Sequence, residues 1–327
     1  MAIRTRFAPA HRRLMVAIVA LPLLIAGAAL VFAWPAARVS PRSVPVGIVS
    51  TSPVAPPAGF SFRPYADAAA AKEAIRTRHV YGAFVITPND VTVLKASAAS
   101  PAVAQLLDTA GSAMASAAKA RLTSVDVVPT ARSDPRGLVL SSALLPLTIC
   151  SILVAAVVML FLGQVSTRHR LGGLVGTALA GGLGAYLIAQ EFLGALPHQP
   201  FETWAALSLT MLAICAPTAG LLAHAGPPGI GVAAAVMVFV GNPFSGVTSA
   251  PQLMPSAVDH IGQLLPPGAG ASLVRNAAYF NGSDSAGHLL VLGLWSAFGL
   301  AAVFLGRPAR TPMSTVPSRW RQHAAAN

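Results

Sequence analysis

The stretch LMVAIVALPLLIAGAALVFAW, residues 14–34, decides the fold, because it carries no charged or amide side chain over its whole length. A helix needs about 20 mostly apolar residues to cross the hydrocarbon core, and Pro22 is accommodated there as a kink. The run follows Arg12 and Arg13. The apolar part of a signal peptide is about 7–15 residues long, so the longer run reads as a retained signal anchor. Further apolar runs lie at Gly137–Gly163, Leu171–Leu196, Trp204–Ala223 and Ala286–Gly306. Another begins near Gly229 and ends at Val240, before Gly241, Asn242 and Pro243 interrupt it. The expected fold is a polytopic α-helical membrane protein with six transmembrane helices, set in the bacterial inner membrane.

Composition agrees. Of the 327 residues, 54% are hydrophobic and 10% charged, whereas soluble domains carry about 25% charged residues. The net charge of +12 is accounted for by topology-setting arginines and contact with anionic lipid headgroups. No nucleic acid partner is expected, since no nucleic-acid-binding motif accompanies the charge. Cys150 and Cys215 sit deep in apolar runs and read as small buried hydrophobes.

Charge also orients the chain. With a cytoplasmic amino terminus, the inner segments hold Arg4, Arg6, Arg12, Arg13, Arg168, Arg170, Arg307, Arg310, Arg319 and Arg321 and no acidic residue. The short connection Pro197–Thr203 holds Glu202 and no Lys or Arg. That asymmetry obeys the positive-inside rule and places both termini in the cytoplasm. Trp34 and Trp204 then fall at the outer interface.

Residues 36–136 hold 11 of the 22 basic and six of the ten acidic residues and read as a small α+β extracytoplasmic domain between spans one and two. Strands are expected at Val44–Ser50, Tyr81–Thr87, Val91–Ala96 and Val125–Val128. Asp67 is a natural N-cap for a helix running to about Arg78. Ser100 and Pro101 start a second helix as cap and first residue. The Pro-rich stretch Ser52–Ala58 reads as a loop. His79 has no second ligand at metal spacing. Lys72, Arg76 and Arg78 read as a solvated helix face with anion binding as the rival reading.

No P-loop, H-E-x-x-H or G-x-S-x-G segment is present, so the chain has no motif for holding ATP or for hydrolysis. No enzyme activity, cofactor or metal is expected. Glu191 is the one acid within a span, near the outer end of the third, and reads as an interfacial or pore-mouth charge. Gly172, Gly176, Ala180 and Gly184 recur at four-residue steps, a ridge suited to close helix packing within the bundle or between protomers. The segment from about 243 to 281 is too rich in Pro and Gly to span, yet keeps apolar residues such as Phe244, Leu264 and Leu273. Short interfacial or re-entrant helices at Ser256–Leu265 and Ala269–Phe280 fit the need to shelter broken backbone at membrane depth.

With Asn242-Pro243-Phe244-Ser245 and Leu265-Pro266-Pro267-Gly268 placed between its last two spans, the chain resembles the membrane subunits of type 2 ABC exporters. The domain after the first span, with its Ala-rich helix and Tyr-Gly-Ala-Phe-Val strand at Ala68–Ile86, resembles the YhgE/phage-infection-protein branch. The resemblance implies a permease that exports a hydrophobic or amphipathic substrate. It also implies an ATP-binding cassette subunit in trans and a homo- or heterodimer. It makes Arg168, His169 and Arg170 the candidate ATPase-coupling loop. Glu191, from its place in the third span, and Asn242, Pro243, Ser245, Pro266 and Pro267, from the segment that carries the resemblance, are the candidate pore-mouth or re-entrant residues. The implied layout is an amino-terminal segment and first span (1–35), the outer domain (36–136), a five-helix region (137–306) and a basic cytoplasmic tail (307–327). The alternative is a non-transporting envelope scaffold, secretion accessory or surface receptor that acts through residues 36–136.

Overall fold

The computed structural model describes residues 7–51, 54–196 and 199–306. Arg4, Arg6, Pro197 and the tail with Arg307, Arg310, Arg319 and Arg321 lie outside the described residues.

Five helices are long and apolar enough to cross a membrane: Leu14–Ala36, Leu138–Leu162, Thr167–Phe192, Pro200–Ala225 and Ala286–Leu305. They belong to α1 (Phe7–Ala36), α4 (Leu138–Leu162), α5 (Thr167–Leu187, prolonged by a π-turn at Ile188–Phe192), α6 (Pro200–Ala225) and α11 (Ala286–Leu305). The chain is thus a multi-pass membrane protein by helix length and composition. The run expected as a further span is present but shorter, at Pro228–Phe244. It consists of α7 (Pro228–Ala234), a π-helical stretch at Ala235–Gly241 and the single turn α8 (Asn242–Phe244).

In chain order, a five-stranded sheet lies between α1 and α4. Its strands are β1 (Val44–Ser50), β2 (Phe60–Pro64), β3 (Gly82–Ile86), β4 (Asp90–Lys95) and β5 (Arg121–Asp126), in the spatial order β2-β1-β3-β4-β5. Only β3 and β4 pair antiparallel; β1–β2, β1–β3 and β4–β5 are parallel. Parallel strands need a crossover: α2 (Ala68–Arg76) carries the chain from β2 past β1 to β3, and α3 (Pro101–Ala118) from β4 to its neighbour β5. Asp67 caps α2 by accepting from the Ala70 N–H at 2.8 Å. Ser100 caps α3 by accepting from Val103 at 3.2 Å. The core is Val44, Val46, Ile75, Phe84 and Leu107, each fully buried. Gly82 and Gly111 let α3 lie close to β3 and β4, since a Cβ at either would collide with Leu107 or Val93.

Two strands differ from expectation. β2 is added at Phe60–Pro64, where prolines on both sides mask the pattern. The last strand runs Arg121–Asp126 rather than Val125–Val128, because an edge strand exposed along most of its length shows no apolar alternation.

Helix α6 is the axis of the membrane part, packed by α4, α5, α10 (Pro266–Tyr279) and α11. Its approach to α11 is tight: a Cβ on Gly299 would meet Pro217 Cδ at 2.6 Å and the backbone of Ala216 and Pro217. The approach to α5 is made by Gly182, whose Cβ would meet the Ser208 backbone at 2.7 Å. The Gly172 ridge does not pack in the bundle. Gly172, Gly176 and Gly184 have open space where a side chain would point, and Ala180 is exposed. The buried stripe of α5 is Arg170, Leu174, Ala178 and Gly182, rotated away from the ridge.

Candidate functional site

The segment after α8 folds back instead of crossing. Helix α9 (Ser256–Leu264) and α10 lie head to tail, close to the expected positions, and α10 is buried for almost its whole length. Prolines explain the break: Pro266 and Pro267 stand in the first turn of α10, where the missing N–H costs nothing. Glycines let the pieces nest. A Cβ on Gly262 would strike the Phe244 carbonyl, and one on Gly241 would meet Pro267 at 2.7 Å. Side chains satisfy the freed backbone. Gln263 donates to the Ser245 carbonyl at 3.0 Å, Ser272 donates to Gln263 at 2.9 Å, and Trp295 donates to the Leu264 carbonyl at 2.9 Å.

The sheet is seated on this broken segment. Ala250, Leu253 and Phe280 join the core cluster of the sheet. The backbone of Ser40 and Arg42 donates to Leu253 and Gln252 at 2.9 and 3.2 Å. Tyr81 donates to Gln252 Oε1 at 2.6 Å, and Ser100 donates to the Ser249 carbonyl. Arg78 donates to Asn276 Oδ1 and lies 5.2 Å over the Phe280 ring. Burial raises the Tyr81 hydroxyl above its ordinary range, partly offset by the Arg78 charge. Lys72, Arg76 and Arg78 therefore do not form one face: Arg76 stands by Glu73 in solvent at 3.8 Å, and Arg78 turns to the membrane part.

Between the broken segment, α1 and α4 lies a cleft of about 270 Å³. Phe32, Leu144, Leu145 and Met254 form its apolar walls; Ser141, Asn242, Ser245, Thr248 and Ser249 give it hydroxyls, an amide and carbonyls, and no charged residue lines it. Helix α1 leans on the Ala235–Phe244 stretch, with Phe32 edge-on to Phe239 at 6.2 Å. Its spanning part is otherwise unburied, so the cleft is walled on one side by a helix that is exposed on its other faces. Behind the cleft, Arg275 is 5% exposed and donates to the Val247 carbonyl at 3.0 Å. Burial, helped by the Arg78 charge, lowers its guanidinium to about 10, which leaves it cationic at neutral pH.

Of the residues singled out from sequence, Asn242, Pro243 and Ser245 come together at the cleft. Pro266 and Pro267 support it from behind as the start of α10, and Glu191 is exposed in the π-turn after α5, away from it. The Arg168-His169-Arg170 run splits. Arg168 and His169 are exposed, whereas Arg170 is 2% exposed because it falls on the buried stripe of α5. Sequence reasoning missed Ser141 and Phe32, which carry no local mark on their apolar helices. It also missed Arg275, whose signal was available: it is the single Lys or Arg between residues 171 and 306, and an isolated charge in apolar surroundings points to a built environment. Among the described residues no group of three His, Cys, Asp or Glu side chains could hold a metal ion.

Comparison of the chain with protein-family models, with curated proteins and with solved structures finds no match. Function has to be inferred from the cleft and its surroundings.

Proposed function

We propose that this chain is the membrane subunit of an ABC-type exporter that moves a hydrophobic or amphipathic molecule, driven by a separate ATPase subunit. The observation that carries this reading is the cleft. Apolar walls with a neutral hydrogen-bonding floor, beside a lipid-facing helix, suit a molecule that arrives from the bilayer with a chain and a polar group. The sheet is seated on the same broken segment, through Ser249, Gln252 and Leu253. In this reading Pro228–Phe244 is a fifth crossing of six. Its pieces of 7, 7 and 3 residues rise at most about 26 Å at the α-helical value, against the roughly 30 Å hydrocarbon thickness. Both termini lie in the bacterial cytoplasm, the sheet lies outside, and the open ridge Gly172–Gly184 is a flat strip for a helix of a second subunit. Exposed Arg168 and His169 remain available to an ATPase.

The test is co-purification from native membranes in mild detergent, combined with a Ser141→Trp variant that fills the cleft. An ATPase subunit should accompany the chain, and the variant should abolish substrate-stimulated hydrolysis. If no ATPase appears and the variant changes no export phenotype, the reading fails.

One observation favours the scaffold alternative: β5 is an edge strand with Leu122 and Val125 about 40% exposed, a template for strand addition. Proline placed at Leu122, whose N–H faces the free edge because Arg121 and Val127 donate to β4, should then abolish partner capture while leaving export untouched.

A further inference from the structure

Arg170 is the largest fully buried side chain among the described residues. Its Nη2 donates to Thr167 Oγ1 at 2.9 Å, but Nε and Nη1 find no acceptor. No carboxylate lies within ion-pair distance; among the described residues the salt bridges are Glu73–Arg76 and Lys95–Asp108. A guanidinium withdrawn from water without an anion is costly. Some of that cost is offset by the helix ends around it. Leu162 of α4, Leu222 and Ala223 of α6 and Val303 of α11 belong to the same apolar cluster as Leu171 and Leu174, which brings three carboxyl-terminal ends, with their partial negative charge, to the side of the bundle where α5 starts. None of their carbonyls accepts from Nε or Nη1.

The same guanidinium is folded back onto the amino-terminal turn of α5, as helical side chains are. That turn lacks a side-chain cap, because Ser166 is engaged with His169 Nδ1 at 2.7 Å instead of the backbone. Helix α5 runs 21 residues; the His169 and Arg170 N–H groups donate to the Ser166 carbonyl, which leaves those of Thr167 and Arg168 to present the positive end of the helix. Two independent sets of unsatisfied donors therefore converge at Thr167. The residue begins a membrane-spanning helix, at the depth of lipid headgroups.

The geometry points to a phosphate-binding site formed by the first turn of α5 and the Arg170 guanidinium, with the phosphate of an anionic lipid headgroup as its occupant. Arg170 Nε and Nη1 and the free amides of the turn take the phosphate oxygens, and the Thr167 hydroxyl holds the guanidinium in place. The site is reached by displacement of the exposed turn at residues 164–166. Its existence does not depend on the export reading.

The test uses the full chain, delipidated in dodecyl maltoside. Binding of dioleoylphosphatidylglycerol, of dioleoylglycerol (the same chains without phosphate) and of inorganic phosphate is followed by native mass spectrometry and thermal unfolding. Wild type should retain phosphatidylglycerol and gain several degrees in Tm, with no gain from dioleoylglycerol. Arg170→Gln should weaken phosphatidylglycerol binding by about tenfold or more, the loss of a charge-assisted hydrogen bond, and Arg170→Lys should restore part of it. Displacement of the lipid by millimolar inorganic phosphate, with the same gain in Tm, would support the site and assign its source to free phosphate. Equal retention of phosphatidylglycerol and dioleoylglycerol by wild type overturns the site even if Arg170→Gln does not fold. Unchanged phosphatidylglycerol binding in Arg170→Gln overturns it as well.

Discussion

Helices α1 and α6 have opposite fates. The first has the higher mean hydropathy, 2.8 against 1.8, yet none of its spanning window is buried, whereas 72% of the window of α6 is. In water the order would be reversed. In lipid, hydropathy marks what faces the hydrocarbon, and the interior gathers small and weakly polar residues that let backbones approach and hydrogen-bond. Helix α6 buries Thr203, Ser208, Thr210, Thr218 and Pro217, while α1 presents Leu23, Leu24 and Ile25 at 67–69% exposure. Packing around α6 is therefore a matter of shape more than of transfer from water.

The contrast is broken most severely by adding bulk where shape is tightest. Gly299→Leu on α11 drives a side chain into the Ala216–Pro217 backbone. Overpacking costs about 1–3 kcal/mol and more when backbone cannot give way, so this variant should fail to yield monodisperse protein by fluorescence-detected size-exclusion chromatography. Gly27→Leu on α1 meets nothing within 4 Å and should elute as wild type. If both behave alike, α6 is not the packed axis.

Next in size is a change that makes the chain more apolar and less stable. Asn276 is fully buried, accepts from Arg78 and donates to the Asp284 carbonyl at 2.9 Å. Asn276→Leu keeps the volume but removes a charge-assisted and a neutral hydrogen bond whose other partners, Arg78 and Asp284, keep access to solvent, at about 1.5–3 and 0.5–1.5 kcal/mol net. The Tm in detergent should drop, and the sheet should become more susceptible to limited proteolysis as its seat loosens. A rise in Tm would mean that hydropathy does govern this interior.

A smaller effect sharpens the comparison. Ile214→Ala on α6 and Leu24→Ala on α1 delete similar volumes at 0% and 69% exposure. Core truncations cost about 2–5 kcal/mol in water. In a membrane the transfer part largely vanishes, because lipid is as apolar as the interior, and the cavity part remains. Ile214→Ala should therefore lose about 2 kcal/mol, at the low end of that range, and Leu24→Ala close to nothing, measured by chemical unfolding in mixed micelles.

What could be read from the chain divides along the same line. Caps at Asp67 and at Ser100-Pro101 were legible because a cap is a contact over three residues. The five long apolar helices were legible because lipid imposes length and hydropathy locally, and α9 and α10 because Pro and Gly mark where a helix must stop. Strand β2 was hidden by Pro57 and Pro64 at its ends. The cleft was half legible: Asn242, Pro243 and Ser245 stand out in a broken segment, but Ser141 and Phe32 are ordinary residues that tertiary packing brings to it. The Gly172 ridge was legible as a stripe of small residues, but not whether it packs within the bundle or between protomers. Gly173, Gly181 and Gly182 stand beside it in the same glycine-rich run, and only the neighbouring helices decide which of the two stripes is used.

The smallest prediction concerns the one acid of the broken segment's first helix. Asp259 on α9 is half-buried, and burial raises its pKa above the ordinary 3.8, with His260 pulling weakly the other way. A raised folded pKa means that the native state binds the proton more tightly than the unfolded state. Stability is then greatest below the unfolded value and falls as pH rises through the folded one, the reverse of an acid held in a salt bridge. Asp259→Asn should remove that decline, gaining a degree or less of Tm at pH 7 and nothing at pH 3. A steeper loss at pH 7 in the variant would mean that the carboxylate has an anion-stabilising neighbour, and that α9 is held by charge as well as by the Gly262–Phe244 approach.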